Sequence, residues 1–276
     1  MNFPLGLEWF FTGFLLVAVM MFMLWLIGLR TNNYAIVDFG WAVGLTLIAD
    51  YYGWQSWRHG GYLPRIILFC AMATIWGLRL GLYLLLTRVI GHPEEGRYQQ
   101  LRKEWKTNLP LKFLAFYLFQ GLLDAILSLP FLWVALNRAE KIHWLEIAGV
   151  ALFVIAKIGE SISDAQLTAF KNNPNNKGKT CRAGLWKYSR HPNYFFEWNI
   201  WVAWFLFALA SPHGYTAIVC PAFMLFLLFK ITGIPATEEQ SLRSRGDDYR
   251  EYQRTTSVFV PWPKKKATSC TEVSIP

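Results

Sequence analysis

The sequence predicts an all-α membrane protein with seven transmembrane helices, and three observations predict this fold class. Of the 276 residues, 54% are hydrophobic and only 16% are charged, whereas soluble domains carry about 25% charged residues. The charged residues are gathered in short blocks between long apolar runs. Because backbone polar groups in lipid must be hydrogen-bonded within the protein, each run is expected to be a helix. The pattern excludes a disordered chain, a disulfide scaffold and an ordinary soluble enzyme.

The first apolar run covers residues 9–29 without a charged residue, which is long enough to cross a hydrocarbon core of about 30 Å. We expect it to be a membrane helix rather than a signal peptide, because Glu8 stands where a signal peptide carries positive charge. The further predicted spans are 34–54, 66–86, 113–136, 144–165, 194–210 and 215–233. Together they predict a single membrane domain over residues 1–262, followed by a flexible basic tail over 263–276.

The distribution of lysine and arginine predicts the orientation of the chain. Most of the 27 basic residues fall in the segments that seven spans would place on one side with the C-terminus. The other side holds only Arg58, Arg65, Arg138 and Lys141. Because cytoplasmic loops attract positive charge, the N-terminus is expected outside and the C-terminus in the cytoplasm. The net charge of +9 is therefore attributed to topology, anionic headgroups and phosphate binding, and not to nucleic acid.

Ionisable residues inside the predicted spans are the main functional signal, because each needs a partner, a cavity or a function in a bilayer. Two pairs lie four positions apart and share a helix face: Arg79 with Tyr83, and Asn193 with Glu197. They indicate an anionic ligand that enters from the cytosol. Other ionisable residues have a structural alternative. For Lys157, Glu160 and Asp164 that alternative is an internal ion pair, and for Asp38 it is a helix–helix hydrogen bond. The remaining members of the set are Asp50, Asp124 and Lys230.

Several kinds of site are not predicted. The four cysteines, Cys70, Cys181, Cys220 and Cys270, lack the spacing of a metal site, so we expect no metal and reduced thiols. The sequence contains no dinucleotide-binding glycine fingerprint and no phosphate-binding loop. Long polar segments in a small membrane protein favour an enzyme with a lipophilic substrate over a channel.

Residues 184–197 contain the pattern G-L-x-x-Y-x-x-x-x-N-x-x-x-E, which resembles the C-terminal domain of the steroid 5-alpha-reductase superfamily, particularly its bacterial branch. The resemblance implies an NADPH site in a pocket of transmembrane helices. The matching positions are Gly184, Leu185, Tyr188, Asn193 and Glu197. Similar positions elsewhere are Asp164, Lys171, Arg79, Tyr83, Arg88, Glu238, Glu239, Tyr252 and Pro261. The second span lacks the Gln-Glu pair of the eukaryotic steroid reductases and has Asp38 as its acid, so the resemblance implies a cofactor more than a steroid.

A second resemblance keeps another cofactor open. Arg190-His191-Pro192-x-Tyr194 is also similar to isoprenylcysteine carboxyl methyltransferases, which use S-adenosylmethionine, and the sterol C-14 and C-24 reductases have similar endings. The longer match favours NADPH. A non-enzymatic lipid-binding membrane protein is the further alternative.

The expected function is an NADPH-dependent reductase that transfers hydride to an activated C=C bond of a lipophilic enone, either steroid-like or isoprenoid-like. The expected catalytic residues are Asp38, Tyr83 and Glu197, with Tyr98 as another hydrogen-bond donor. The expected cofactor-binding residues are Arg79, Arg88, Asp164, Lys171, Tyr188, Arg190, His191, Asn193, Glu197, Glu239 and Tyr252, within a cofactor-binding part from about residue 150 to 262. For His191 a structural role at the start of a helix is the alternative. We expect a lipophilic substrate and membrane lipids as partners, no obligate protein partner, and a bacterial inner membrane with the site facing the cytoplasm.

Overall fold

The computed structural model describes residues 3–231 and 233–264. Within these residues the chain forms α-helices joined by short loops and turns, and an isolated bridge pairs Ser189 with Ser257. The predicted all-α class is confirmed. Residues 265–276, which make up most of the predicted basic tail and include Cys270, lie outside the described residues.

The chain divides into two compact units. The first comprises Met1–Val150 and Trp204–Cys220, and the second comprises Ala151–Ala203 and Pro221–Pro276. The part in which the sequence predicts cofactor binding, from about residue 150 to 262, therefore falls mostly in the second unit.

The first unit is built mainly on long apolar helices. Its helices are α1 (Phe3–Thr31), α2 (Ile36–Arg58), α3 (Leu63–Leu84), α4 (Gly96–Trp105), α5 (Leu109–Leu127), α6 (Leu129–Ala135) and the first turns of α7 (Trp144–Asn172). A π-helical turn, Leu85–Val89, extends α3. Helices α2 and α3 approach closely at Gly77, where an added Cβ would lie 2.8 Å from the carbonyl oxygen of Ala42. Small residues permit such close helix packing in membranes, where van der Waals contact drives association.

The second unit contains shorter helices and more polar loops. It includes the rest of α7, then α8 (Pro192–Ala208) as far as Ala203, and α9 (Val219–Lys230) from Pro221. The chain continues in α10 (Ile234–Arg245) and α11 (Asp247–Thr255). A core of Leu228, Ile234 and Phe259 packs against aromatic side chains that include Tyr194 and Trp198. This core attaches the C-terminal segment to the start of α8.

In the part of the chain that the structure describes, four segments are long and apolar enough to cross a membrane: Pro4–Thr31, Leu63–Val89, Leu109–Leu127 and Gly214–Arg245. Helix α1 also exposes large apolar side chains, such as Phe11 (58%) and Leu15 (61%), as a lipid-facing surface requires. These features support a membrane protein. The structure also forms helices over the other three predicted spans, but α8 has only 17 residues and α7 carries Lys157, Glu160 and Asp164. Seven spans therefore stay a prediction.

The predicted continuous span over residues 113–136 is wrong in its second half. Helix α5 ends at Leu127, and α6 begins at Leu129 with Pro130 in its first turn. Proline has no backbone N–H and fits the first turn of a helix better than its interior. The hydroxyl of Ser128 donates to the carbonyl oxygen of Ala125 over 2.7 Å, which satisfies a carbonyl group at the end of α5. The apolar composition of the run concealed this break.

Candidate functional site

The pattern at residues 184–197 begins as a tight turn held against α7. Gly184 opens a 3-10 turn, Gly184–Lys187, with φ +57°, a conformation that favours glycine. The backbone N–H of Leu185 donates to Oε1 of Gln166 over 2.9 Å. The indole N–H of Trp186 donates to the carbonyl oxygen of Ser163 over 2.9 Å. The turn is thus fixed to α7 immediately before α8 begins.

A row of polar side chains lies where α7 and α8 face each other in the second unit. Nδ2 of Asn193 donates to Oδ1 of Asp164 over 3.3 Å. One helical turn farther along α8, Oε1 of Glu197 accepts from the indole N–H of Trp201, which is fully buried. The structure thus brings together Asp164 and Asn193, two residues that the sequence assigned to one cofactor site from segments 29 positions apart.

The structural alternative for the charged face of α7 is confirmed for one pair. Nζ of Lys157 donates to Oε2 of Glu160 over 2.8 Å, and both side chains are largely buried. This internal ion pair accounts for two of the three ionisable residues on that face. Asp164, four residues after Glu160, contacts α8 instead.

Arg190 and His191 hold the C-terminal segment in place. Nε of Arg190 donates to Oε1 of Glu238 over 2.6 Å, and its Nη1 donates to the carbonyl oxygens of Gln253 and Thr256, each over 2.9 Å. Nε2 of His191 lies 3.2 Å from the same Glu238 oxygen. His191 is almost completely buried. The geometry agrees with the structural alternative for His191 and gives Arg190 a positioning role.

Tyr252 is buried beneath the same turn. Its hydroxyl oxygen contacts the carbonyl oxygen of Trp186 and lies 3.0 Å from that of Ser189. Burial raises the pKa of the Tyr252 phenol, which keeps the hydroxyl protonated as a donor. The side chain of Ser189 in turn donates to the carbonyl oxygen of Phe259 over 2.7 Å. Tyr252 therefore supports the backbone of the 184–197 segment.

Sequence reasoning placed Glu239 at the site, but Glu238 makes the contacts with Arg190 and His191. Glu239 is exposed and pairs with Arg243 on its own helix. Ile234 and Ser241 are the buried residues of α10, and Glu238 lies between them at helical spacings of four and three. This periodicity was the available signal, since residues so spaced share a helix face.

The remaining predicted residues lie at more open positions. Lys171 is exposed in the last turn of α7, and Tyr188 is 41% exposed. In the first unit, Tyr83 is 55% exposed, and Arg79 is half-buried on α3. Arg88 pairs with Glu95 over 3.1 Å at the surface.

Asp38 and Tyr98 form a close pair in the first unit. The Tyr98 hydroxyl donates to Oδ1 of Asp38 over 2.6 Å, although the residues are 60 positions apart. Tyr98 is fully buried. Burial and the nearby Asp38 charge raise the pKa of the Tyr98 phenol well above its usual value, so the hydroxyl keeps its proton. Of the hydrogen-bond donors considered from the sequence, Tyr98 is the one that contacts Asp38.

An open apolar groove of about 580 Å³ lies in the second unit. It is lined by a row of isoleucines on α7, by residues of the 184–188 turn and by Phe196. The polar groups at its edge are Gln166, Lys187 and Tyr188. Three residues of the G-L-x-x-Y pattern, Gly184, Leu185 and Tyr188, thus line this groove.

Comparison with known proteins assigns the chain to a family. Residues 24–256 match the family model described as "Protein of unknown function (DUF1295)". A search of curated proteins finds no match. A search of solved structures also finds none. Because the family model covers most of the helical chain, including the polar row and the Arg190 contacts, this protein belongs to the DUF1295 family.

Proposed function

We propose that this protein is an NADPH-dependent membrane reductase that reduces an activated C=C bond of a lipophilic enone. The observation that carries the proposal is the contact between Asp164 and Asn193, with Glu197 one helical turn beyond. Asn193 and Glu197 occupy matching positions of the NADPH-binding pattern that the 184–197 segment resembles, and Asp164 resembles the acidic residue that the same family has one span earlier.

The chemistry of the polar row fits a nicotinamide carboxamide. An asparagine amide has two N–H donors and one acceptor, and the bond to Asp164 uses one of the donors. Carboxylates at Asp164 and Glu197 are acceptors suited to an amide N–H. Lys171, exposed in the last turn of α7, is the proposed phosphate contact in this unit, because basic side chains bind phosphate through charge-assisted hydrogen bonds. Arg190, His191 and Tyr252 are assigned the role of holding the segment that carries Asn193.

NADPH supplies a hydride, and the protein orients the acceptor and polarises it. We assign the polarising role to the pair of Tyr98 and Asp38: the Tyr98 hydroxyl donates to Oδ1 of Asp38, and a protonated Asp38 donates its own O–H to the enone oxygen. Hydride addition to the β-carbon of an enone moves the C=C electron pair toward the carbonyl and places negative charge on its oxygen. A hydroxyl donor at that oxygen stabilises the charge. Protonation of the α-carbon by water then yields the saturated ketone and NADP⁺.

The proposal includes seven membrane spans, with the N-terminus outside and the C-terminus and cofactor-binding part at the cytoplasm of a bacterial inner membrane. Helical segments within each predicted span support this arrangement, as does the concentration of basic residues in the segments predicted to be cytoplasmic. Two reporters are fused after Lys264. A fluorescent protein that folds only in the cytoplasm should fluoresce, and an enzyme that is active only after export should be inactive. The reverse pattern would contradict the proposed orientation.

NADPH binding is the direct test of the cofactor. Purified protein should change NADPH fluorescence saturably and should not bind S-adenosylmethionine. Glu197→Gln should weaken NADPH binding about 10- to 100-fold, because a hydrogen bond to a charged group contributes about 1.5–3 kcal/mol. The exposed Glu140 provides the matched control, and Glu140→Gln should bind as the wild type does.

Saturable S-adenosylmethionine binding without NADPH binding would replace the reductase by the methyltransferase alternative. Binding of neither cofactor would favour the non-enzymatic lipid-binding alternative. Equal NADPH affinity in Glu197→Gln and wild type would remove Glu197 from the site.

The acceptor side has a separate test. Tyr98→Phe should retain NADPH binding but slow NADPH oxidation by about 100-fold, because Asp38 loses the hydroxyl that holds it in place and with it the stabilisation of the oxyanion. The acceptors to be tested are a 3-oxo-4-ene steroid and a polyprenyl enone. Tyr215→Phe, at an exposed tyrosine (63%), is the control. Unchanged turnover in Tyr98→Phe would rule out the assigned role.

A further inference from the structure

The groove in the second unit has a long apolar wall. Ile155, Ile158 and Ile162 are spaced by three and four residues on α7, so they form a continuous stripe. Their exposed fractions are 62%, 55% and 44%. In the groove floor, an added Cβ at Gly159 would lie 2.4 Å from the ring of Phe196. Gly159 therefore lets the Phe196 ring lie directly against α7, which shapes a channel beside the isoleucines.

One end of the groove carries aromatic and basic groups. Nζ of Lys187 lies 5.8 Å from the centre of the Tyr188 ring. The backbone N–H of Trp262 donates to the carbonyl oxygen of Tyr188 over 3.0 Å, which fixes the C-terminal segment next to this rim. Trp262 is 67% exposed, and Lys264 is exposed two residues later. Exposed tryptophan and tyrosine are typical of the membrane–water interface, and lysine reaches from it toward headgroups.

We propose that this groove binds an anionic phospholipid, with an acyl chain along the isoleucine stripe and the phosphate next to Lys187. The lining combines an isoleucine stripe with a tyrosine ring and a lysine, which are the groups that suit the acyl chain, the interface and the headgroup of a lipid. The two exposed lysines, Lys187 and Lys264, provide charge complementarity to a headgroup with net negative charge. This inference goes beyond the proposed reductase activity and does not require it, although Gly184, Leu185 and Tyr188 of the groove also belong to the pattern that resembles an NADPH site.

The size of the groove favours a lipid chain over a protein helix. Its volume of about 580 Å³ lies within the roughly 300–1,000 Å³ of small-molecule sites. A partner helix is about 10–12 Å across with its side chains and would need a broader contact surface. The turn Gly184–Lys187 is also anchored to α7 through Gln166 and Ser163, so the groove is preformed on a fixed framework.

Native mass spectrometry of the full-length protein tests the proposal. The detergent-purified protein is titrated with phosphatidylglycerol or with phosphatidylcholine of the same acyl chains. Phosphatidylglycerol should bind at least about five-fold more tightly, since each lysine near a headgroup contributes about that factor. Lys187→Gln should lower phosphatidylglycerol binding about five-fold without changing phosphatidylcholine binding. Ile158→Trp, which fills the channel, should lower the binding of both lipids.

Matched controls use residues outside the groove. Lys177 is an exposed lysine of the same segment, and Ile147 is an exposed isoleucine (61%) of the same helix. Lys177→Gln and Ile147→Trp should bind both lipids as the wild type does. Equal binding of the two lipids to the wild type would overturn the proposal, as would equal effects of Lys187→Gln and Lys177→Gln. Displacement of phosphatidylglycerol by NADPH would also overturn it, by assigning the groove to the cofactor. Failure to bind NADPH would leave the lipid result standing.

Discussion

Two arginine clusters, one in each unit, use the same chemistry at different depths. The loop clamp consists of Arg65, Glu146 and the carbonyl groups of residues 137–141. The motif clamp consists of Arg190, Glu238 and the carbonyl groups of Gln253 and Thr256. In the loop clamp the arginine and glutamate side chains are 2% and 0% exposed, whereas in the motif clamp they are 11% and 16% exposed.

The contacts of the loop clamp leave it sealed. Arg65 pairs with Glu146 through Nε, and its Nη1 and Nη2 donate to the carbonyl oxygens of Ala139 and Lys141 over 2.7 and 2.8 Å. Glu146 also accepts from the backbone N–H of His143 over 2.7 Å. The motif clamp instead connects the 184–197 segment to two C-terminal helices. Both arginines bind backbone carbonyl groups as well as a glutamate. The comparison predicts that the free energy of unfolding depends more on the arginine that is more deeply buried.

The largest expected effect is at the loop clamp. Arg65→Ala should destabilise the protein by about 3–5 kcal/mol, because it leaves the Glu146 charge buried without compensation. The double variant Arg65→Met with Glu146→Leu should recover much of this loss, since it removes both charges. Thermal unfolding in detergent measures both effects.

Arg58→Ala is the control for the loop clamp, because Arg58 is exposed at the end of α2 and covers the Trp54 ring. Its midpoint should stay close to that of the wild type. If the thermal-unfolding midpoint of Arg65→Ala were as high as that of Arg58→Ala, the predicted importance of the loop clamp for stability would be wrong.

A smaller effect is expected at the motif clamp. Arg190→Gln should cost about 1.5–3 kcal/mol, the usual contribution of hydrogen bonds to a charged group. It should also expose the segment after α11 to limited proteolysis, because the carbonyl groups of Gln253 and Thr256 lose their donor. Arg243→Gln removes an exposed pair (76% and 64%) and should leave cleavage unchanged. Cleavage of both variants at equal rates would show that the clamp does not hold the segment.

The smallest effect is expected at Arg182, whose side chain is 28% exposed. Arg182 donates to Oδ1 of Asp248 over 2.8 Å. Although partial burial opposes it, hydrogen bonding from Thr180 and the Arg182 charge lower the pKa of Asp248. A carboxyl with a lowered pKa in the folded state stabilises the protein above its unfolded pKa of about 3.9, and this contribution is lost as the pH falls through the folded value.

The test at this site compares wild type with Asp248→Asn across pH. The difference in unfolding free energy should be below about 1 kcal/mol at pH 7, because the pair is solvent-screened. It should shrink as the pH falls below about 4. A difference that grows toward acid pH would reverse the assigned sign. A loss of stability as large as that of Arg190→Gln would show that side-chain exposure does not determine how much each of the three arginine clusters stabilises the protein.

Individual helices and contacts show which features of the fold the sequence patterns predicted and which they did not. Apolar length predicted α1 and α3 closely, because a lipid-facing helix depends on composition within one segment. The same criterion merged α5 and α6, since Leu127, Leu129 and Phe131 continue the apolar run across the break. The pattern at 184–197 predicted that Asn193 belongs with Asp164. It did not predict that Glu238 rather than Glu239 faces Arg190, because that choice depends on the rotation of α10.

The sequence by itself determined that this protein is helical, with apolar helices suited to a membrane, and which segment resembles a cofactor-binding pattern. Only the tertiary structure decided which polar groups are partners. Arg65 meets Glu146 across 81 positions, and Arg190 meets Glu238 across 48. The physical reason is that transfer of an apolar run into lipid is a local property of its side chains. A hydrogen bond requires two distant groups within about 3 Å and in line, which only the packing of the helices provides.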